Sequence, residues 1–206
     1  MTTARVRSLP CVLLACLAFT APRAQTGGRL QDPASGISVV QPAGWEIAKQ
    51  QTGAIKIAGR LKDEDLAKAV GNAPAIPLFI FSRYPEAHPD PNPSIQVVLR
   101  PLGDDAGKTA VELMQETVDP MKSAFKDFRF VSDIKTTTVG GLPASSMKAA
   151  YTILTQDGRK LPTQTDFWIV PRGKFMFVIG AAGPQEGPDA YDAEFDRFVS
   201  SVQIQP

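Results

Sequence analysis

Residues Gly36 to Ile47 read GISVVQPAGWEI, a short apolar run and a Pro-Ala-Gly turn that leads into a Trp. The run Ile37 to Val40 predicts a strand, and Pro42 to Gly44 predict a bend or reversal of the chain. Trp45 and Ile47 are two residues apart, so an extended chain places both side chains on one face. The segment therefore predicts the entry strand of a folded domain, with Trp45 as a core anchor.

The first 24 residues have the layout of a secretory signal peptide. Arg5 and Arg7 precede an apolar stretch from Leu9 to Phe19, and small and polar residues follow as far as Ala24. The apolar stretch is too short for a stable membrane anchor. We expect cleavage after Ala24, which gives a secreted or periplasmic protein without a transmembrane anchor. Residues 25–31 are then a polar, mobile lead-in to a single domain over residues 32–206.

A second interpretation of the leader makes Cys16 a lipid-attachment cysteine. Leu13 to Ala15, which precede it, loosely resemble the lipobox of bacterial lipoproteins, although Leu17 to Phe19 continue the apolar run. On this alternative the mature protein is lipid-anchored to an envelope membrane. Both cysteines, Cys11 and Cys16, lie in the leader, so we expect a mature chain without a disulfide or a thiolate metal ligand.

The charge balance argues against a nucleic-acid partner. The sequence has 22 basic and 21 acidic residues, and the leader contains three of the arginines and no acid. The mature chain is therefore slightly acidic. A protein that binds DNA, RNA or anionic lipid is expected to have a segment rich in Lys and Arg and free of acids. No segment of this sequence has that pattern.

Hydrophobic periodicity predicts an α+β domain. Thr109 to Phe125 has the spacing of an amphipathic helix, and a final helix is predicted from about Asp189 to Val202. The runs Phe167 to Val170 and Phe175 to Ile179 are continuously apolar, which indicates strands covered on both faces. The expected architecture is an α/β/α sandwich, with a mostly antiparallel central sheet and helices on both faces. Further predicted elements are strands at 37–40, 54–58, 78–82, 95–99, 128–138 and 144–155, and a short helix starting at Asp63.

Motifs for catalysis or cofactor binding are incomplete. Gly103 to Thr109 reads GDDAGKT, which is one residue short of a P-loop and contains two aspartates that would repel phosphate. We interpret it as a connection that ends near a helix start. The pairs Ser123 with Lys126 and Ser145 with Lys148 match the S-x-x-K spacing of penicillin-recognising enzymes, but the companion motifs are absent.

The remaining titratable groups also favour structural roles. His88 is the only histidine and lies in a Pro-rich loop, where a solvated side chain is the expected state. Asp192, Glu194 and Asp196 alternate along the final helix and are interpreted as a solvated face. We therefore predict no catalytic residue, no metal and no cofactor. The loop from Tyr84 to Pro93, with Tyr84 and His88, is a candidate partner-contact loop, and its alternative is a plain linker between strands.

The order of these segments is similar to the PsbP-like family, which includes bacterial envelope proteins similar to DcrB. The similarity rests on GISVVQPAGW, the following helix, the VGGLPA hairpin, the apolar meander and the terminal YDAEFDRFVSSVQI. It implies an α/β/α sandwich without a shared catalytic residue. The implied function is an exported, non-catalytic protein-binding or adaptor module of the cell envelope, with an unidentified protein partner.

Two other functions stay open at the level of sequence. A hydrolase could have a site that is assembled only in the fold, and a deep polar pocket with a perturbed Asp or Glu would favour it. A carrier of a small apolar ligand would need a sizeable apolar cavity between sheet and helix.

Overall fold

The computed structural model describes residues 27–47, 75–85, 92–154, 158–186 and 191–205. Outside these residues lie the leader with Cys16, the loop histidine His88, and the predicted strand and helix between residues 54 and 70. The described elements are β1 (Arg29–Asp32), β2 (Ile37–Val40), β3 (Glu46–Ile47), β4 (Ile76–Ser82), β5 (Ser94–Pro101), α1 (Ala110–Ala124), β6 (Lys126–Val139), β7 (Leu142–Leu154), β8 (Lys160–Arg172), β9 (Phe175–Pro184), α2 (Asp192–Ser201) and β10 (Gln203–Ile204).

The larger sheet has seven strands in the order β3-β4-β5-β9-β8-β7-β6. Every neighbouring pair is antiparallel. Strands β7 to β9 form the predicted meander, and β6 joins it through the predicted hairpin. This β6–β7 hairpin turns at Gly140 and Gly141, whose φ angles of +59° and +85° favour glycine. The α+β class with a mostly antiparallel sheet is therefore confirmed.

A second, three-stranded sheet has β2 at its centre, between β1 and β10. Both neighbours are antiparallel to β2. Residues Arg29 to Gln31, which we expected to belong to a mobile lead-in, instead form most of β1. The physical reason is that Ile37 and Val39 are fully buried, and a buried strand needs hydrogen-bond partners for its backbone.

Two hydrophobic clusters lie on opposite faces of the seven-stranded sheet. Adjacent side chains of a strand point to opposite faces, and Trp168 belongs to one cluster while Ile169 belongs to the other. The Trp168 cluster includes α2 residues and the small sheet, and the Ile169 cluster includes α1 residues. The continuously apolar runs, Phe167 to Val170 in β8 and Phe175 to Ile179 in β9, thus have residues that pack on both faces.

The helices cover only part of the sheet in the described residues. On the face that carries α1, half-buried Val98, Phe167 and Val178 line an open, mainly apolar groove of about 170 Å³. Helix α1 packs over β6, β7 and β8 and leaves this groove at its side. In the described part of the chain, the expected cover of both faces by helices is therefore incomplete, and the groove is exposed beside α1.

Trp45 anchors the entry segment, as the sequence predicts. Its side chain is 3% exposed, and its ring makes edge contacts with Tyr191 and Phe195 at centroid distances of 6.2 Å. The indole Nε1–H donates to Glu194 Oε2 at 3.1 Å. Ile47, expected on the same face, is instead 42% exposed because it ends the two-residue edge strand β3. Trp45 is therefore the residue that holds this segment against the core.

Helix α1 begins at a capping box. The Thr109 side chain accepts from the Glu112 backbone N–H, and the Glu112 side chain accepts from the Thr109 backbone N–H. The helix continues through Pro120 to Ala124, and its buried residues are Ala110, Leu113, Met114 and Val118. The helix that the spacing predicts is therefore confirmed.

Candidate functional site

The P-loop-like segment has a structural role. Gly103–Asp105 form a short 3₁₀ turn, and Thr109 then caps α1. The Lys108 ammonium lies 2.6 Å from Asp105 Oδ1 and also pairs with Glu116. Hydrogen bonds to these two carboxylates raise the Lys108 pKa. The prediction of a connection followed by a helix start is confirmed.

The S-x-x-K pair on β7 is divided between the two faces of the sheet. Ser145 is buried, and its hydroxyl donates to the Ala110 carbonyl at 2.7 Å, which ties β7 to α1. Lys148 is three residues further along the strand and therefore points to the opposite face. Its ammonium meets Asp166 and Asp192 there. Ser145 and Lys148 therefore do not form one site.

The base of the candidate contact loop is fixed by a pair of hydrogen bonds. The Tyr84 backbone N–H donates to Asn92 Oδ1 at 3.0 Å, and Asn92 Nδ2 donates to the Tyr84 carbonyl at 2.7 Å. Tyr84 itself is half-buried. His88 lies outside the described residues, so the role of this loop in partner contact stays a prediction.

The structure brings together a set of polar side chains that the sequence leaves apart. They line an open cleft of about 330 Å³ on the face of the sheet that carries α2. Two rows across β6, β7 and β8 form its floor, because residues in register point to the same side. We call this site the polar cleft, and its polar and aromatic lining consists of Ser132, Lys135, Ser146, Lys148, Asp166, Trp168 and Asp196.

Irregularities in β6 place two side chains in the cleft. The β6–β7 register shifts between Phe130 and Ser132 and again between Ser132 and Lys135. Regular alternation would send residues three apart to opposite faces, whereas here Ser132 and Lys135 both line the cleft. Bulges of this kind re-aim side chains and occur often beside functional sites.

Asp166 is the most unusual group of the polar cleft. The residue is only 7% exposed, and its Oδ1 lies 3.3 Å from the Lys148 ammonium. Its buried Oδ2 accepts no hydrogen bond from any described protein group. Burial raises the Asp166 pKa to about 6, with Lys148 opposing this and the Asp192 and Asp196 carboxylates adding to it. Asp166 therefore lines the cleft with one buried carboxylate oxygen that has no hydrogen-bond partner among the described residues.

Lys148 is held as a cation between two carboxylates. Its ammonium lies 3.0 Å from Asp192 Oδ1 and 3.3 Å from Asp166 Oδ1. Burial lowers the Lys148 pKa, but the Asp192 hydrogen bond and the two negative charges outweigh it, so the pKa is raised. Gln164 Nε2 donates to the same Asp192 oxygen at 2.9 Å. Lys148 thus organises the cleft as a fixed positive charge.

The three acids of α2 have separate roles. Asp192 and Asp196 are one helical turn apart and lie beside the cleft, while Glu194 accepts the Trp45 hydrogen bond. Asp192 and Asp196 are exposed, as expected of a solvated face, but Asp192 also pairs with Lys148, which the sequence pattern does not predict. Within the described ranges, no group of three or more His, Cys, Asp or Glu side chains is placed to hold a metal ion.

One sequence signal could have identified the cleft. Asp166 is an acid two residues before Trp168, in a strand whose apolar run predicts burial on both faces. A charge in such a strand needs a partner or a function. Its partners Lys148 and Asp192 are distant in sequence, so the pattern along the chain gives no indication of them.

Comparison with known proteins gives structural similarity at low sequence identity. No protein-family model and no curated protein sequence matches the chain.

No helix in the described residues is long and apolar enough to cross a membrane.

Two solved structures are similar over most of their length. The solution structure of cyanobacterial PsbP (CyanoP) from Synechocystis sp. PCC 6803 has a TM-score of 0.52 and 14% identity, covering 94% of this chain and 99% of that one. LpqN, involved in cell envelope biogenesis of Mycobacterium tuberculosis, has a TM-score of 0.51 and 16% identity, covering 87% and 90%. The chain therefore has the PsbP-like fold.

Proposed function

We propose that this protein is an exported, non-catalytic binding module of the cell envelope, and that the polar cleft is its contact surface for a partner protein. The observation that supports this best is Asp166, which lines the cleft and whose buried Oδ2 has no hydrogen-bond partner among the described residues. An unpaired buried polar atom costs about 1–3 kcal/mol, which a partner's donor would offset. Export is the expectation from the leader.

The charge network of the cleft fits binding better than turnover. The Lys148 pKa is raised, so its amine stays protonated and serves neither as a nucleophile nor as a general base. The β-bulges of β6 and the rigid β7 and β8 fix the floor in place. A pre-formed polar surface of this kind loses little entropy when a partner binds.

A native pull-down tests the proposal with matched charge variants. Wild-type protein, Asp166→Asn and Asp119→Asn would be used to capture envelope proteins, with mass spectrometry of what is retained. Asp119 is an exposed acid on α1, on the other side of the sheet, and it pairs only with Lys122 among the described residues. We expect a partner retained by wild type and Asp119→Asn and lost with Asp166→Asn. Equal retention by all three proteins would contradict a role for the cleft.

One observation favours an enzyme as the second candidate. An aspartate with a pKa of about 6 in a polar cleft has the acid–base character that a hydrolase needs near neutral pH. Hydrolytic turnover by purified wild type that is lost in Asp166→Asn and kept in Asp119→Asn would favour this function over the binding module. The apolar groove of about 170 Å³ is smaller than the roughly 300–1,000 Å³ typical of ligand pockets, so it gives the carrier less support.

A further inference from the structure

We propose that the polar cleft recognises the guanidinium group of an arginine side chain, an inference that rests on the cleft being the contact surface proposed above. Three features support it: an unpartnered buried carboxylate oxygen, an aromatic face beside it, and an excess of acidic groups.

The buried acceptor is Asp166 Oδ2. Lys148 occupies the neighbouring Oδ1, and no described donor reaches Oδ2. The residue is 7% exposed and is one of those that line the cleft, but Oδ2 itself is buried, so a donor that enters the cleft reaches it only when the neighbouring side chains move aside. A ligand with an N–H donor would complete its hydrogen bonding, and a charged donor gives the stronger bond.

Trp168 supplies the aromatic face. It is two residues from Asp166 on β8, so both side chains point to the same side of the sheet. Trp168 is 8% exposed and lines the cleft. A guanidinium can stack on an indole while donating to a carboxylate, whereas an ammonium is a compact charge that needs more complete hydration. The pair Asp166 and Trp168 therefore favours guanidinium over ammonium.

The charges around the cleft favour a cation. The acids Asp166, Asp192 and Asp196 oppose the two ammonium groups of Lys135 and Lys148, which leaves one negative charge in excess when all are ionised. Asp196 is exposed, and its carboxylate makes no hydrogen bond or ion pair with a described residue. An incoming cation can therefore use Asp196 without breaking an existing contact.

A calorimetric titration tests the inference on the full chain without its predicted leader. The probe is Nα-acetyl-arginine methylamide, and the control is the same molecule with citrulline, in which a neutral ureido group replaces the guanidinium. Spermidine distinguishes a free polyamine from an arginine side chain. We expect binding of the arginine probe with at least about fivefold preference over both other compounds, since the fork geometry and stacking belong to guanidinium.

Four variants locate the binding. Asp166→Asn should weaken binding of the arginine probe by about fivefold or more. Asp196→Asn should weaken it by about two- to fivefold, as expected for partly desolvated charges. Asp196 is exposed and unpaired among the described residues, so that variant does not endanger folding. Lys135→Ala should tighten binding by about twofold because it removes a repelling charge. Asp119→Asn on α1 should change nothing.

The pH dependence gives an independent readout. The groups facing Asp166 are Lys148 from β7, Lys135 from β6, and Asp192 and Asp196 from α2. With a pKa of about 6, the ionised fraction of Asp166 falls about tenfold between pH 7 and pH 5. The affinity of the wild-type protein for the arginine probe should therefore fall from pH 7 to pH 5. The affinity of Asp166→Asn should stay nearly constant over this range.

Three outcomes would overturn the inference: equal binding of the arginine and citrulline probes, tighter binding of spermidine than of arginine, or weaker arginine binding in Lys135→Ala. The last result would indicate an anionic ligand. If the pull-down captures a partner through the cleft but the arginine probe does not bind, this inference is wrong and the proposed binding module is still supported. Arginine binding without any captured partner would contradict the adaptor function instead.

Discussion

Asp166 lines the proposed site, and its raised pKa also makes the stability of the protein depend on pH. Its pKa of about 6 lies above the ordinary value of about 3.9 for an unfolded chain, because burial disfavours the charged form. Between these two values the native protein binds more protons than the unfolded chain. The contribution of Asp166 to stability therefore falls as the pH rises from about 4 to about 6, and it is level above that.

Asp166→Asn should remove this pH dependence. A two-unit shift corresponds to nearly 3 kcal/mol at about 1.4 kcal/mol per unit, and solvent access from the cleft reduces the expected difference to roughly 1–2 kcal/mol. Chemical denaturation of wild type, Asp166→Asn and the control Asp119→Asn at pH values from 4.5 to 7 measures it. The free energy of unfolding of wild type relative to Asp166→Asn should decrease with pH. An increase would mean that Lys148 outweighs burial.

Trp45 is the residue whose role the sequence predicted best. Trp45→Phe keeps an aromatic ring beside Tyr191 and Phe195 but loses the hydrogen bond to Glu194, so we expect a loss of about 1 kcal/mol in unfolding free energy. Trp45→Ala should cost about 3–5 kcal/mol because it leaves a cavity. Equal effects of the two variants in thermal or chemical denaturation would show that the ring does not anchor the segment.

At the scale of elements, the terminal strand β10 docks against the β6–β7 hairpin. Gly140 forms a bridge with Gln203, and a Cβ at position 140 would lie 2.8 Å from Ile204 Cγ1 and 3.0 Å from the Ile204 backbone nitrogen. The φ angle of +59° adds strain for any other residue. The hairpin turn therefore has two separate reasons to contain glycine.

A comparison of Gly140→Ala with Gly173→Ala should separate the steric clash from the backbone strain. Gly173 has a φ of +58°, but a Cβ added there would have no neighbouring atom within 4 Å, so Gly173→Ala measures the backbone strain alone. We expect about 1 kcal/mol for Gly173→Ala and about 2–4 kcal/mol for Gly140→Ala, since the clash adds to the strain. Equal losses in chemical denaturation would mean that β10 does not pack closely on the hairpin.

The long elements and the short apolar strand β2 could be predicted from the sequence, but β1 and β10 could not. The apolar runs of β8 and β9 and the spacing of α1 reflect local periodicity, which a sequence displays directly. Strands β1 and β10 have four and two residues and depend on pairing with β2, which lies far from β10 along the chain. Pairing between distant segments leaves no periodic signal in so few residues.

At the scale of the whole molecule, the polar cleft could not be predicted because it is assembled from three strands and a helix. Ser132, Lys148 and Asp166 become neighbours only through the register of β6, β7 and β8. The β6 bulges, which place Lys135 beside them, have no clear sequence mark. Of the incomplete motifs, only Lys148 from an S-x-x-K pair lies in the polar cleft, and its motif partner Ser145 is on the other face of the sheet.

Among the described residues, this domain combines a two-sided hydrophobic core with the polar cleft on the α2 face. The groove beside α1 is mainly apolar, whereas the cleft contains the unpartnered carboxylate oxygen and the charged network. This asymmetry is the reason for assigning partner contact to the cleft and a structural role to the opposite face.

The most direct test of this assignment is photo-crosslinking in intact cells from two positions of the same protein. A photoreactive amino acid would replace either Lys135 at the cleft or Asp119 on α1, and the crosslinked products would be identified by mass spectrometry. Both positions are exposed, so neither replacement disturbs the core. We predict a reproducible adduct with one envelope protein from position 135 and none from position 119. The same adduct from both positions, or adducts from position 119 alone, would contradict the cleft as the contact surface.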